Sequence, residues 1–262
     1  MNELTISTQG GVRVLMLNRP ERLNAINPSL SLQMEQALTE ASMDDEVRVV
    51  VITGAGRGFC SGLDLTDRKN RSSDSITRYN RLDELDWVGR QALGIVQCDK
   101  PVIAAVNGVA AGAGLSLALA CDIRFMCQDV RVTTGYIRRA LTPDAGMSYF
   151  LPRLVGPGKA AELIFTGREI AADEAERIGL VNSVFPADEF HKRVMEFAQG
   201  LADGPPVALT LSKRLLTTSS DEDLTTVLKN EIKAIRTCFE TEDSTEGVQA
   251  FAEKRKPIFS GK

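Results

Sequence analysis

From the N-terminus to Phe185 the apolar positions fall into short strand-length runs that alternate with longer stretches at helical spacing. Residues 3–8 and 12–17 are β-rich runs joined by Gln9-Gly10-Gly11, which predicts an opening hairpin. NRPERLNAINP (18–28) is polar punctuation, and Pro28 with Ser29 starts a helix to about Ala41. VRVVVIT (47–53) and PVIAAV (101–106) are continuous apolar runs, the pattern of strands buried on both faces. Between them, GAGRGFCSGLDL (54–65) reads as a glycine-rich loop, residues 66–78 as charged, serine-rich and mobile, and residues 79–98 as helix. NGVAAGAG (107–114) is a second glycine-rich loop, leading into a short apolar helix in LSLALACD (115–122) and short strands in IRFMC and VRVTT. Beyond Pro143 the pattern is mostly helical, apart from LVNSVF (180–185). Paired strands alternating with helices indicate an α/β fold, and the helical last third a separate subdomain. We place the core at 1–200 and the helical region at 201–262.

Composition removes several classes of function. The 262 residues carry a formal net charge of −4, so no global positive field invites nucleic acid; Arg138–Arg139 and Lys254–Arg255–Lys256 are local clusters. No apolar stretch reaches the ~18 residues a membrane span needs, since Val102–Ala120 is broken by Asn107 and several glycines. MNELTISTQG has neither the basic start nor the apolar core of a signal peptide, so a cytoplasmic location is expected. Five cysteines without C-x-x-C spacing read as reduced, buried small hydrophobes. A single histidine, His191, argues against a zinc site and against a histidine-activated nucleophile.

Each glycine-rich loop follows a buried strand, the position where α/β proteins bind ligands. Gly108, Gly112 and Gly114 mimic a dinucleotide fingerprint, but no leading βαβ unit ends in a suitably placed acid, and no Tyr-x-x-x-Lys pair is present. GAGRGFCSG lacks the Gly-Lys-Ser/Thr of a P-loop. Cys60 and Ser61 have no partner base in the sequence. A third reading uses both loops: the N–H groups of Leu63 and Ala113 converge on one oxygen as an oxyanion hole, helped by the dipole of the helix beginning near Gly112. Taken singly, each glycine is explained as well by a tight turn or close packing.

FCSGLDL (59–65) and KPVIAAVNGVAAGAGLSLALACDIR (100–124) resemble the crotonase superfamily, the enoyl-CoA hydratase/isomerase proteins. The resemblance extends from LNRPERLNAI (17–26) through LPRLVGPGKAAELIFTGREIAADEAERIGLVNSVF (151–185) to GVQAFAEKRKPIF (247–259). It implies a spiral of ββα units with a C-terminal helical trimerisation region, assembled as homotrimers or homohexamers. It further implies an acyl-CoA thioester as substrate and no cofactor beyond the coenzyme A of that substrate. The carbonyl would lie against the amides of Leu63 and Ala113, beside Gly112. Arg22, Leu23 and Ala25, with Ser61, Gly62, Asp64 and Leu65, would line the CoA, and Lys254 would reach a CoA phosphate or remain a solvated charge. Side chains of 66–78 and 79–98, Trp87 among them, would shape the acyl pocket.

The same resemblance bears on the reaction. Hydratases of this family carry two glutamates at positions that here hold Ser116 and Tyr136. The acid that remains is Asp144, in PDAG (143–146), as in the dienoyl-CoA and epoxyphenylacetyl-CoA isomerases. We expect Asp144 to shuttle a proton in a double-bond shift, with Tyr136 as pocket wall or, as the alternative, hydrogen-bonded to the acid or to a polar acyl group, and Ser116 filling space on an apolar helix face. The alternatives are hydration or C–C hydrolysis through Asp144 and water, or acyl-CoA binding without turnover. Without the family context, Asp144 beside Pro143 reads as a helix N-cap.

Overall fold

The computed structural model describes residues 2–68 and 77–262; most of the segment expected to be mobile, 69–76, lies outside the described residues. In chain order the strands are β1 (Leu4–Gln9), β2 (Val12–Leu17), β3 (Val49–Gly54), β4 (Gly58–Cys60), β5 (Val102–Val106), β6 (Val109–Ala111), β7 (Ile123–Cys127), β8 (Arg131–Thr133), β9 (Glu169–Ala171) and β10 (Ser183–Phe185). They form a larger sheet, β1-β2-β3-β5-β7-β10, and a smaller one, β4-β6-β8-β9. The β1–β2 hairpin and the β8–β9 pair are antiparallel; every other pairing is parallel. Each turn of the chain lays one strand in the larger sheet, the next in the smaller, and returns through helix. This is the ββα spiral that the resemblance implied.

The β4 and β6 strands were hidden inside the two glycine-rich loops. At three residues each they are too short to show a period, and the glycines in and around them carry no strand preference. Those glycines permit the spiral's tight steps: a Cβ at Gly108 would collide with the Arg57 carbonyl, and one at Gly54 with the Gly58 carbonyl. The helix expected over 79–98 divides into Arg78–Leu82 and Asp86–Gln97, with Asp86 at φ 51 where the second begins. A third short strand, β9, lies in the region read as helical.

Helix Pro28–Met43 packs its buried face, Leu30, Met34, Ala37, Leu38 and Ala41, under the sheet and against helix Asp86–Gln97. Its start follows the sequence signal: Asn27 caps the Leu30 N–H at 2.8 Å, and Pro28 occupies the first turn, where a missing N–H costs nothing. The last three helices, Pro206–Ser219, Leu224–Phe239 and Glu242–Glu253, form the C-terminal helical region.

Asn24 ties the first loop to the spiral. It is wholly buried; its side-chain amide donates to the carbonyls of Ala55 (3.0 Å) and Gly58 (2.8 Å), and its Oδ1 accepts from the Arg19 N–H at 2.9 Å. Removing the group breaks three hydrogen bonds to the backbone, two part-buried and one buried, each worth about 0.5–1.5 kcal/mol net. Asn24→Ala is therefore expected to lower unfolding stability by roughly 2–4 kcal/mol, read as a shift in a urea midpoint at unchanged slope.

Candidate active site

The two glycine-rich loops cross at the segments bearing Leu63 and Ala113. Ile26 and Leu63 form a parallel bridge in which Ile26 donates to Gly62 O (2.7 Å) and accepts from Asp64 N (2.8 Å). Ile26 supplies both bonds, so the N–H of Leu63 points to the opposite side. Ala113 is the first residue of helix Ala113–Ala120, where N–H groups have no intrahelical partner; the first ladder bond runs from Ser116 N to Gly112 O at 3.0 Å. The loops touch at their glycines. A Cβ on Gly62 (φ 100) would lie 2.8 Å from Ala111 O and 3.6 Å from Ala113 N, and one on Gly114 would collide with Cys60 O. Every residue of that helix is buried, so its N-terminal dipole acts at low dielectric. The loop bearing Leu63 and the start of the helix at Ala113 thus meet at Gly62 and Gly114. Cys60, at this crossing, is no nucleophile: burial pushes its thiol up to about 12.

Asp144 shares a cavity with Leu63. The cavity, of about 300 Å³, is lined by Leu63, Asp64, Leu65, Asp86, Trp87, Asp144 and neighbouring residues, Asn27 and Thr142 among them. Asp144 does not cap the following helix. Met147–Val155 begins after Gly146 with no side-chain cap, and Asp144 contributes its carbonyl to the turn, accepting from Met147 N at 3.0 Å. Its Oδ1 instead accepts the Tyr136 hydroxyl at 2.7 Å. The Tyr136 oxygen is 3.1 Å from Ser116 Oγ, which also lies 3.3 Å from Gly112 O and 3.2 Å from Asp144 O. Tyr136 and Ser116 are therefore more than the wall and the filler expected of them. Burial, then the Asp144 charge and hydrogen bond, push the Tyr136 phenol far up, so it stays protonated as a donor.

Comparison with known proteins fits this geometry. The family model Enoyl-CoA hydratase/isomerase matches residues 7–262. The chain belongs to the enoyl-CoA hydratase/isomerase family. It is similar to a short-chain-enoyl-CoA hydratase of Clostridium acetobutylicum, 37% identical over 98% of this chain and 97% of that one. It is also similar to the 1,2-epoxyphenylacetyl-CoA isomerase of Escherichia coli, 36% identical over the whole of both chains. Among solved structures, an enoyl-CoA hydratase from Bacillus anthracis superposes with a TM-score of 0.93 at 34% identity, covering 99% of this chain and 100% of the other. The fold is the crotonase fold of these enoyl-CoA hydratase/isomerase proteins.

Within this family member, the expected site residues divide into two groups. Arg22–Ala25 and Ser61–Leu65 are stitched side by side: Ser61 N donates to Leu23 O at 3.0 Å and Ser61 Oγ to Arg22 O at 3.2 Å. Arg22 is exposed, and Leu23 adopts φ 50 at the turn. Ala25 is buried, its carbonyl accepting from Arg19. Asp64 is not an open ligand group, because Arg19 Nη2 lies 2.8 Å from its carboxylate, as does Thr66 Oγ1 at 2.7 Å. Burial pushes the Asp64 carboxyl up, but the Thr66 and Arg19 hydrogen bonds and the Arg19 charge outweigh it and hold it below the usual carboxylate range. Lys254 stands apart: exposed, at φ 57, it closes helix Glu242–Glu253 and does not line the Asp144 cavity.

Sequence reasoning missed Arg19, Asn24 and Asp86. Arg19 also bonds Glu3 at 3.0 Å and so braces the first loop. Asp86 lines the mouth of the cavity, and its Oδ1 accepts from Trp87 N at 2.7 Å. A positive φ at a helix start leaves no signal in composition, although a polar residue before Trp87 was there to be read.

Proposed function

We propose that the protein moves a carbon–carbon double bond in an acyl-CoA thioester, with Asp144 as the proton shuttle and the Leu63 and Ala113 amides holding the carbonyl oxygen. The observation that carries the reading is Asp144 lining the same cavity as Leu63, hydrogen-bonded toward the loop that bears Ala113. Of the other acids there, Asp64 is committed to Arg19 and Asp86 sits exposed at the mouth.

The balance of the step is simple. The Asp144 carboxylate takes a proton from the carbon next to the thioester of a β,γ-unsaturated ester, and the C–H electrons pass into the carbonyl to give a dienolate. The two amides stabilise the oxyanion in a water-poor site, where such donors act most strongly. Asp144 then returns the proton at the γ carbon, and the electrons fall back into an α,β double bond. One carboxylate suffices, and no cofactor is consumed. The Arg22–Ala25 and Ser61–Leu65 segments, brought together at the cavity's edge, take the CoA.

A second reading, hydration, is favoured by Asp86, which offers a second carboxylate at the same cavity, and by the hydratase names among the relatives. The two separate by product mass when the purified protein is offered a β,γ-unsaturated and an α,β-unsaturated thioester. Conversion of the first to its conjugated isomer supports the shuttle; a product heavier by one water from the second sinks it. Tight binding without turnover would leave an acyl-CoA binder.

Assembly belongs to the same proposal. Leu224, Leu228, Ile232, Ile235 and Phe239 are exposed along one face of helix Leu224–Phe239 at helical spacing. An apolar stripe of that length on a monomer marks an interface, and we assign it to a homotrimer that can pair into a hexamer. Leu228→Asp should drop the particle mass measured by light scattering to that of one chain; an unchanged mass contradicts the assignment.

A further inference from the structure

We infer that Ser116 and Tyr136 are positioning residues, a buried pair of hydroxyls that fixes Asp144 relative to the loop carrying the Ala113 amide. The inference rests on the proton-shuttle reading above and adds to it the means by which the acid is held.

Asp144 is placed on a loop rather than on a helix or strand. The loop carries consecutive positive φ values at Ala145 (51) and Gly146 (81), and the helix that follows begins after Gly146. A reacting acid in such a place needs support from more rigid elements, because small misplacements weaken proton transfer steeply. The support comes from two sides. Tyr136 lies just past β8, at the head of the short turn Ile137–Arg139, and is 6% exposed. Ser116 lies in the wholly buried helix Ala113–Ala120 and is 0% exposed.

The proton count gives the pair a direction. Tyr136 has one hydroxyl proton, and the Asp144 Oδ1 contact at 2.7 Å is shorter than its 3.4 Å contact to Asp144 O. With that proton committed, the Tyr136 oxygen accepts, and Ser116 at 3.1 Å is the donor that fits. The chain therefore runs Ser116 to Tyr136 to Asp144, each bond polarising the next. Ser116 has a single hydroxyl proton too, so while it is given to Tyr136 the carbonyls of Gly112 (3.3 Å) and Asp144 (3.2 Å) are close neighbours of Oγ and not further acceptors. A Phe at 136 would keep the packing and lose the link. A Cβ on Gly112 would stand 3.8 Å from the Tyr136 ring, which shows how closely the ring seats against the same loop.

The test measures kcat and KM separately for the β,γ-unsaturated thioester in wild type, Tyr136→Phe, Ser116→Ala, the double variant and Asp144→Asn, with Tm for each. Loss of a hydrogen bond to a charged group predicts that Tyr136→Phe lowers kcat about ten- to a hundredfold. KM should stay within about twofold, because the hydroxyl touches the acid and not the CoA segments. The double variant should be no worse than Tyr136→Phe, since the two hydroxyls act as one chain. If the phenol's removal lowers Tm sharply, Ser116→Ala decides: a fall in kcat at constant KM supports the inference and an unchanged kcat overturns it. Unchanged kcat in Tyr136→Phe, with turnover lost in Asp144→Asn, overturns the positioning role and leaves the shuttle standing. Full turnover in Asp144→Asn overturns both.

Discussion

Asp144→Asn should reduce turnover by about two to four orders of magnitude, the range that a general acid/base contributes, with Tm nearly unchanged. The substitution is close to isosteric, and the amide oxygen still accepts the Tyr136 hydroxyl now bound to Oδ1. No helix cap is lost, since Met147–Val155 begins at Gly146 without a side-chain cap. KM should move little, because the Asp144 carboxylate is hydrogen-bonded to Tyr136 and not to the segments proposed to take the CoA. A cap would show the reverse pattern: activity retained, with about 1 kcal/mol of stability at stake. Kinetics and a thermal melt on the same preparation separate the two.

Gly114→Ala should be the most damaging small change in the oxyanion loop. A Cβ there would collide with the Cys60 carbonyl and stand 2.8 Å from Cys60 Cβ. The carbonyl is backbone and cannot rotate away, so one loop must shift, and with it the spacing of the Leu63 and Ala113 amides. Overpacking of this kind costs about 1–3 kcal/mol. Displacing an oxyanion donor lowers kcat by roughly a hundredfold or more. Gly158→Ala is the matched control. Its Cβ would meet nothing within 4 Å, and it lies in helix Pro157–Thr166, where alanine is favoured over glycine by up to about 1 kcal/mol. Activity in that variant should equal wild type. Comparable losses in both would show that the effect is general to glycine replacement and not specific to the crossing of the loops.

These two predictions differ in how far the sequence alone supports them. The loops were legible, because strand-length apolar runs ending in glycine clusters mark ligand sites in α/β folds, and the order of several motifs pointed to one family. The strands inside those loops were not, since three residues carry no period. The acid was legible as a residue but ambiguous as a role, since a carboxylate after proline reads as a cap on local sequence and as a catalyst only through the family resemblance. Only the backbone at Ala145 and Gly146 shows that the helix starts too late for Asp144 to cap it. Ser116 reads as filler because it is embedded in an apolar helix, and Tyr136 reads as a pocket wall, with a hydrogen bond to the acid as the alternative. Their meeting with Asp144, 28 and 8 residues away along the chain, is a property of the spiral and leaves no trace in local spacing. Asn24 was missed for the converse reason: a polar residue in a polar loop looks solvated, yet it is wholly buried.

The central claim is that one carboxylate moves one proton and adds no water. The most direct measurement is the mass spectrum of the product formed from a β,γ-unsaturated acyl-CoA deuterated beside the thioester, in water labelled with heavy oxygen. A shuttle predicts an isomer without heavy oxygen and with part of the deuterium carried to the γ carbon. A product that has taken up heavy oxygen contradicts it.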